Sequence, residues 1–142
     1  MAFWDTSAVL PLCFHQPATG ALSRLMRKHR RMVVWWGTPV EVRSGMSRLV
    51  REGAMAEEGR RRALTRLGAL RRSWAEVLPT ERLRGIAEEL PDRHGLRAAE
   101  AFQLAAAVVW CRERPVKQPF ICFDRRLADA AERLGFAVVA VS

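Results

Sequence analysis

Short apolar runs alternate with helix-period segments along this chain, and that alternation is its strongest constraint on fold. Ala2-Phe-Trp4, Met32-Val-Val-Trp-Trp36, Phe120-Ile-Cys-Phe123 and Phe136-Ala-Val-Val-Ala-Val141 are too short for helices and read as buried strands. The intervening segments carry apolar residues at helical spacing. One helix has the stripe Ala21, Leu22, Leu25 and Met26 and ends in the basic run Arg27 to Arg31; a polar kink over Cys13 to Pro17 precedes it. A second runs from Thr38 to Glu52, with Gly53 as its stop. A third spans Met55 to Trp74, with Leu64, Leu67, Leu70 and Trp74 inward. Thr80 caps a fourth, which Pro91 ends after Leu90, and Asp92 to Gly95 reads as a loop. Leu96 to Cys111 and Arg125 to Leu134 complete the set, and Val77 to Pro79 offers one short extra strand or turn. This order predicts a single α/β domain over residues 1–142, with a central, mostly parallel sheet and helices on both faces.

Four acids fall at informative places in that pattern. Asp5 and Asp124 each follow a predicted strand, while Glu41 and Glu100 fall in the first turns of helices. In a parallel sheet these positions share the carboxyl edge, where open α/β folds place ligand chemistry. Each also has a plainer reading. Asp5 or Thr6 can cap the first helix. Thr38 and Glu41 have the spacing of a capping box, with Pro39 at the first helical position. Glu100 can complement a helix dipole. If the four converge, each pair at ~4 Å costs on the order of 4 kcal/mol at an effective dielectric of 20. A divalent cation relieves that cost, and an all-oxygen set suits Mg²⁺ or Mn²⁺ rather than zinc.

Charge narrows the choice of substrate. Lys and Arg number 24 against 15 Asp and Glu, a net charge of +9, and nearly all the cations are Arg. Such a domain is drawn to polyanions, either nucleic acid or an acidic protein partner. Carboxylate-held Mg²⁺ in a basic protein points to phosphodiester hydrolysis by a metal-activated water. The six arginines among Arg60, Arg61, Arg62, Arg66, Arg71 and Arg72 form either a solvated face or a phosphate-contacting one. Hydrophobic content of 49% excludes a disordered chain. No apolar run reaches the ~20 residues that span a bilayer. The first residues lack a basic n-region and carry Asp5, so a cytoplasmic protein is expected, with no membrane association. The three cysteines, Cys13, Cys111 and Cys122, are scattered and read as reduced packing residues.

Four segments together resemble the PIN-domain nucleases, and most of all the VapC-type toxins of bacterial toxin–antitoxin pairs. They are Phe3-Trp-Asp-Thr-Ser-Ala-Val-Leu10, Thr38-Pro-Val-Glu-Val-Arg-Ser44, Gly95-Leu-Arg-Ala-Ala-Glu-Ala-Phe-Gln-Leu-Ala105 and Ile121-Cys-Phe-Asp-Arg-Arg-Leu127. The resemblance covers essentially the whole chain in order and spacing. It implies a Mg²⁺- or Mn²⁺-dependent endoribonuclease that cuts single-stranded or loop RNA such as transfer RNA. It further implies a homodimer and a small cognate antitoxin whose tail enters the site. By position Asp5, Glu41, Glu100 and Asp124 are the implied catalytic metal ligands, with Thr6 and Ser7 orienting Asp5. Two positions depart from the pattern: Glu100 stands where Asp is usual, and Cys122 where Thr or Ser is usual. These departures motivate an alternative, a catalytically weakened or inactive PIN-fold protein that holds RNA or a protein partner. A phosphoacceptor receiver domain, the third reading, needs a lysine at a strand end near the acids; only Lys28 and Lys117 exist, and neither is so placed.

Overall fold

The computed structural model describes residues 1–14 and 20–139. Within them the order is β1 (Ala2–Trp4), α1 (Thr6–Phe14), α2 (Ala21–Lys28), β2 (Met32–Trp35), α3 (Thr38–Arg51), α4 (Glu57–Ser73), β3 (Ala75–Val77), α5 (Glu81–His94), α6 (Ala98–Trp110), β4 (Pro119–Ile121), α7 (Arg125–Leu134) and β5 (Ala137–Val139). The five strands form one sheet in the order β3-β2-β1-β4-β5, and every neighbouring pair is parallel. The expected α/β architecture is thus present, with a sheet that is wholly parallel. His15 to Pro17 of the expected kink, and the end of the expected last strand at 140–141, lie outside the described residues.

Strand alternation builds two cores, one on each face. Phe3, Val33, Trp35 and Phe120 point to a cluster closed by α5, α6 and α7. Ala2, Trp4, Met32, Val34 and Ile121 point to the other, closed by α1 through α4. Period-two alternation in strands covered on both sides requires this division. Helix α6 lies deepest: Leu104, Ala105, Ala106 and Ala107 have no exposed surface, and the alanines let the helix axis approach the sheet closely.

Local differences from the sequence reading have physical causes. Helix α1 continues through Pro11 to Phe14, because Val9, Leu12 and Cys13 are buried and that burial outweighs one lost backbone bond. Helix α5 likewise runs past Pro91 to His94, so Asp92 to His94 form its last turn rather than a loop. Gly95 ends it at φ +65°, its N–H bonded to the Pro91 carbonyl. Helix α2 stops at Lys28, short of the expected basic end. The short third strand is Ala75–Val77, paired with Val33 to Trp35, two residues before the expected segment. Pro79, with no N–H to give, lies beyond it.

The deepest helix is the place to test the packing. Leu104→Ala is expected to lower stability by about 3 kcal/mol in urea unfolding, with the far-ultraviolet dichroism of the native state unchanged.

Candidate functional site

The carboxyl edge of the sheet opens into a cleft of about 620 Å³. Asp5, Glu41, Glu100 and Asp124 all line it, with Thr6, Ser7 and Gln103. Strand β1 is central and wholly buried, so the residue that follows it emerges at the middle of this edge. That residue, Asp5, is only 4% exposed. Its Oδ2 accepts the Ser7 Oγ–H at 2.6 Å and the Ser7 N–H at 3.1 Å. Ser7 Oγ in turn accepts the Phe123 N–H at 2.9 Å, which pins the loop after β4 to the start of α1. Burial pushes the Asp5 carboxyl above its usual range, the Ser7 bonds pull it back, and the charge of Asp124 pushes it up again.

Cys122 sits between the two aspartates. Its Sγ is 3.7 Å from Asp5 Oδ2 and 3.3 Å from the Asp124 carbonyl oxygen, and it accepts the Asp124 N–H at 3.4 Å. Burial first, and then the Asp5 charge, push the thiol far up. The sulfur therefore stays protonated, a weak donor wedged against the acids.

Glu41 is held by a second network. Gln103 of α6 is 1% exposed, and its Nε2 lies 2.9 Å from Thr6 Oγ1, 3.1 Å from Thr38 Oγ1 and 3.2 Å from Glu41 Oε1. Thr6 Oγ1 donates to the same Glu41 oxygen at 3.1 Å. One amide thus ties the end of β1 and the first turn of α3 to α6. The capping box at Thr38 and Glu41 does not form: Gly37 is the N-cap, with no side-chain cap bond. Burial pushes the Glu41 carboxyl up to about 7; Gln103 opposes this and the Asp5 charge adds to it. Gln103 is the functional residue that the sequence reading missed. Its signal was a polar amide within the alanine-rich run from Leu96 to Cys111.

Glu100 and Asp124 begin helices. Glu100 Oε1 accepts the Arg97 N–H at 2.9 Å and lies 3.7 Å from Arg126 Nη1. Asp124 caps α7, its Oδ1 accepting the Leu127 N–H at 3.1 Å. Glu41, Glu100 and Asp124 are therefore each anchored through one oxygen, and among the described residues their other oxygens have no protein donor. Such oxygens suit a hard divalent cation. Among the described residues, however, no three acidic, His or Cys side chains close into a metal-holding group. Glu100 is engaged by the Arg97 N–H and the Arg126 guanidinium, while it lines the same cleft as Asp5 and Asp124. Ser7 holds Asp5 through its hydroxyl and its N–H; Thr6 reaches Asp5 through its backbone and Glu41 through its hydroxyl. Lys28 and Lys117 do not line the cleft, which leaves the receiver reading without its lysine.

No family model matches the chain, and no curated protein matches it either.

The two networks give two expected outcomes. Ser7→Ala strips Asp5 of its shortest bond and leaves the Phe123 N–H unpaired, so unfolding free energy should fall by about 1–3 kcal/mol. Glu41, raised from 4.5 to about 7, binds its proton more tightly folded than unfolded. Metal-free stability should therefore fall as pH rises through that window, by on the order of 3 kcal/mol, and level off above it. Urea midpoints taken across the window check this, and Glu41→Gln should remove that share of the slope.

Proposed function

We propose that this chain is a Mg²⁺- or Mn²⁺-dependent endoribonuclease of the PIN type, acting as a VapC-like toxin. The observation that carries the reading is the single cleft of a +9 protein lined by four carboxylates, three of which keep an oxygen free of protein donors. Asp5 and Asp124 would hold the ion, with Glu41 and Glu100 completing the set at the rim. When bound, the ion supplies charge neutralisation at the phosphate and a bound water of lowered pKa. The protein's own groups do the rest. Ser7 and Cys122 fix Asp5, and Gln103 and Thr6 fix Glu41. Glu41, which burial pushes up to about 7 in the ion-free protein, would give up its proton as it joins the ion, so occupancy should rise with pH near neutrality. Arg48 and Arg51, which also line the cleft, face the substrate's phosphates. The resemblance to VapC-type toxins extends the reading to a cytoplasmic homodimer restrained by a small antitoxin. On the membrane, the structure contributes one fact: among the described residues, no helix is long and apolar enough to cross one.

A second reading, a PIN-fold protein that binds RNA without cutting it, is favoured by the engagement of Glu100 with Arg97 and Arg126. End-labelled transfer RNA incubated with antitoxin-free protein separates the two. Discrete fragments that vanish in EDTA and in Asp5→Asn, by at least a hundredfold in rate, are expected. Fragments that survive both treatments would sink the nuclease reading, and an Asp5-independent gel shift without cutting would favour the binding protein. A readout without RNA is also available. Mn²⁺ should raise the melting temperature of the wild type and leave that of Asp5→Asn in place, because only a folded carboxylate site gains from the ion.

A further inference from the structure

The carboxyl edge of the sheet has two halves. Over β1 and β4 stand the acids. Over β2 and β3 stand Trp36 and Leu78, the residues that follow those strands directly, 54% and 60% exposed. The Trp36 N–H bonds to the Val77 carbonyl, so both residues leave the sheet at neighbouring points. Val40, 74% exposed, stands on the first turn of α3 and lines the acid cleft itself. These three exposed residues make an apolar strip beside the cleft: Val40 lines it, and Trp36 follows β2, the strand next to β1, ~4.8 Å away between strand axes.

Trp36 is braced rather than loose. Its ring packs at 71° against Trp35, with centroids 6.3 Å apart, and Trp35 stacks on Phe102 at 5.4 Å and 2°. Gly37 makes the turn beneath them possible: a Cβ there would lie 2.6 Å from the Trp35 Nε1. An indole held in place with its surface in water spends little entropy on binding.

The surroundings select the occupant. Arg48 and Arg51 line the same cleft from α3, and among the described residues neither forms an ion pair. An apolar strip beside unpaired cations fits a ligand with flat apolar faces and regular negative charge. On this strip a second copy of the chain is disfavoured, because it brings another +9 beside Arg48 and Arg51; the homodimer proposed above would use another face.

We propose that Trp36, flanked by Val40 and Leu78, stacks an unpaired base of a single-stranded RNA while Arg48 and Arg51 hold its neighbouring phosphates. The proposal rests on the nuclease reading for its substrate and adds the residues of this chain, Trp36 with Arg48 and Arg51, that would engage the unpaired nucleotides. Every base has a face to stack, so the platform recognises single-strandedness rather than sequence.

The test measures binding in EDTA, apart from cleavage. Fluorescein-labelled oligouridine is titrated with wild type, Trp36→Ala, Trp36→Phe and Trp36→Leu, and fluorescence anisotropy is read at several salt concentrations. Trp36→Ala should weaken binding by about tenfold. Trp36→Phe should recover most of the loss and Trp36→Leu little of it, because stacking needs a ring. The salt slope of these variants should match the wild type, whereas Arg48→Ala should reduce it by about one. A Trp36→Ala or Trp36→Leu protein that binds as the wild type does overturns the proposal, as does a wild type that does not bind the strand. Sedimentation in the same buffer covers the other occupant: a dimer that Trp36→Ala converts to monomer, at unchanged RNA affinity per protomer, makes the strip a contact between copies and also overturns it. Failure here with metal-dependent cutting intact removes only the platform. Ring-dependent binding by a wild type that cuts nothing in Mg²⁺ or Mn²⁺ removes only the nuclease.

Discussion

The cleft depends on one unfavourable interaction, the negative charge of Asp5 buried at the end of the central strand within reach of Asp124. Strand β1 has partners on both sides and helices over both faces, so its carboxyl end cannot be moved without dismantling both cores. Desolvation and like charge both work against the ionised form of Asp5. Ser7 and Cys122 offset part of that cost and fix where the carboxylate stands. What remains is electrostatic free energy held by a rigid scaffold, and a cation entering from the cleft can draw on it. Glu41 repeats the arrangement at lower intensity, with Gln103 and Thr6 in the place of Ser7.

The layered fold was legible because its signal is local and redundant. A strand such as Ala2–Trp4, buried on both faces, can only be an unbroken apolar run, and α6, pressed onto the sheet, can only be rich in small apolar residues. The positions of Asp5 and Asp124 at strand ends followed from the same periodicity. Prolines misled because their cost is local while the benefit that overrules it is tertiary. Leu12 and Cys13 are buried beyond Pro11, so the helix runs on into the start of the expected kink, and Leu90 is likewise buried just before Pro91.

The site's finer structure was hidden for a related reason. A short polar side chain near a helix start has several partners within reach, and only the assembled fold decides among them. Thr38 and Glu41 have perfect capping-box spacing, yet Gln103, sixty-two residues from Glu41, takes both. Glu100, which the sequence offered only as a partner of the helix dipole, accepts the N–H of its helix's N-cap residue, Arg97. Cys122 stood out only as a departure beside Asp124; its contact with Asp5 is visible only once β1 and β4 are known to be neighbours.

The distribution of charge follows from these constraints. Carboxylates crowd one half of the sheet edge, while the arginines that give the chain its excess stand on helix surfaces, several paired along α4 and α5 and others, Arg48 and Arg51, open at the cleft. A polyanion approaching such a protein is attracted at long range by the net charge and repelled at short range by the acids. The two tendencies are reconciled only if the acids are neutralised locally, and a small divalent ion does that without filling the cleft. On the proposed reading, one edge of one sheet would hold phosphates where it is cationic, a metal where it is anionic, and a base where it is neither.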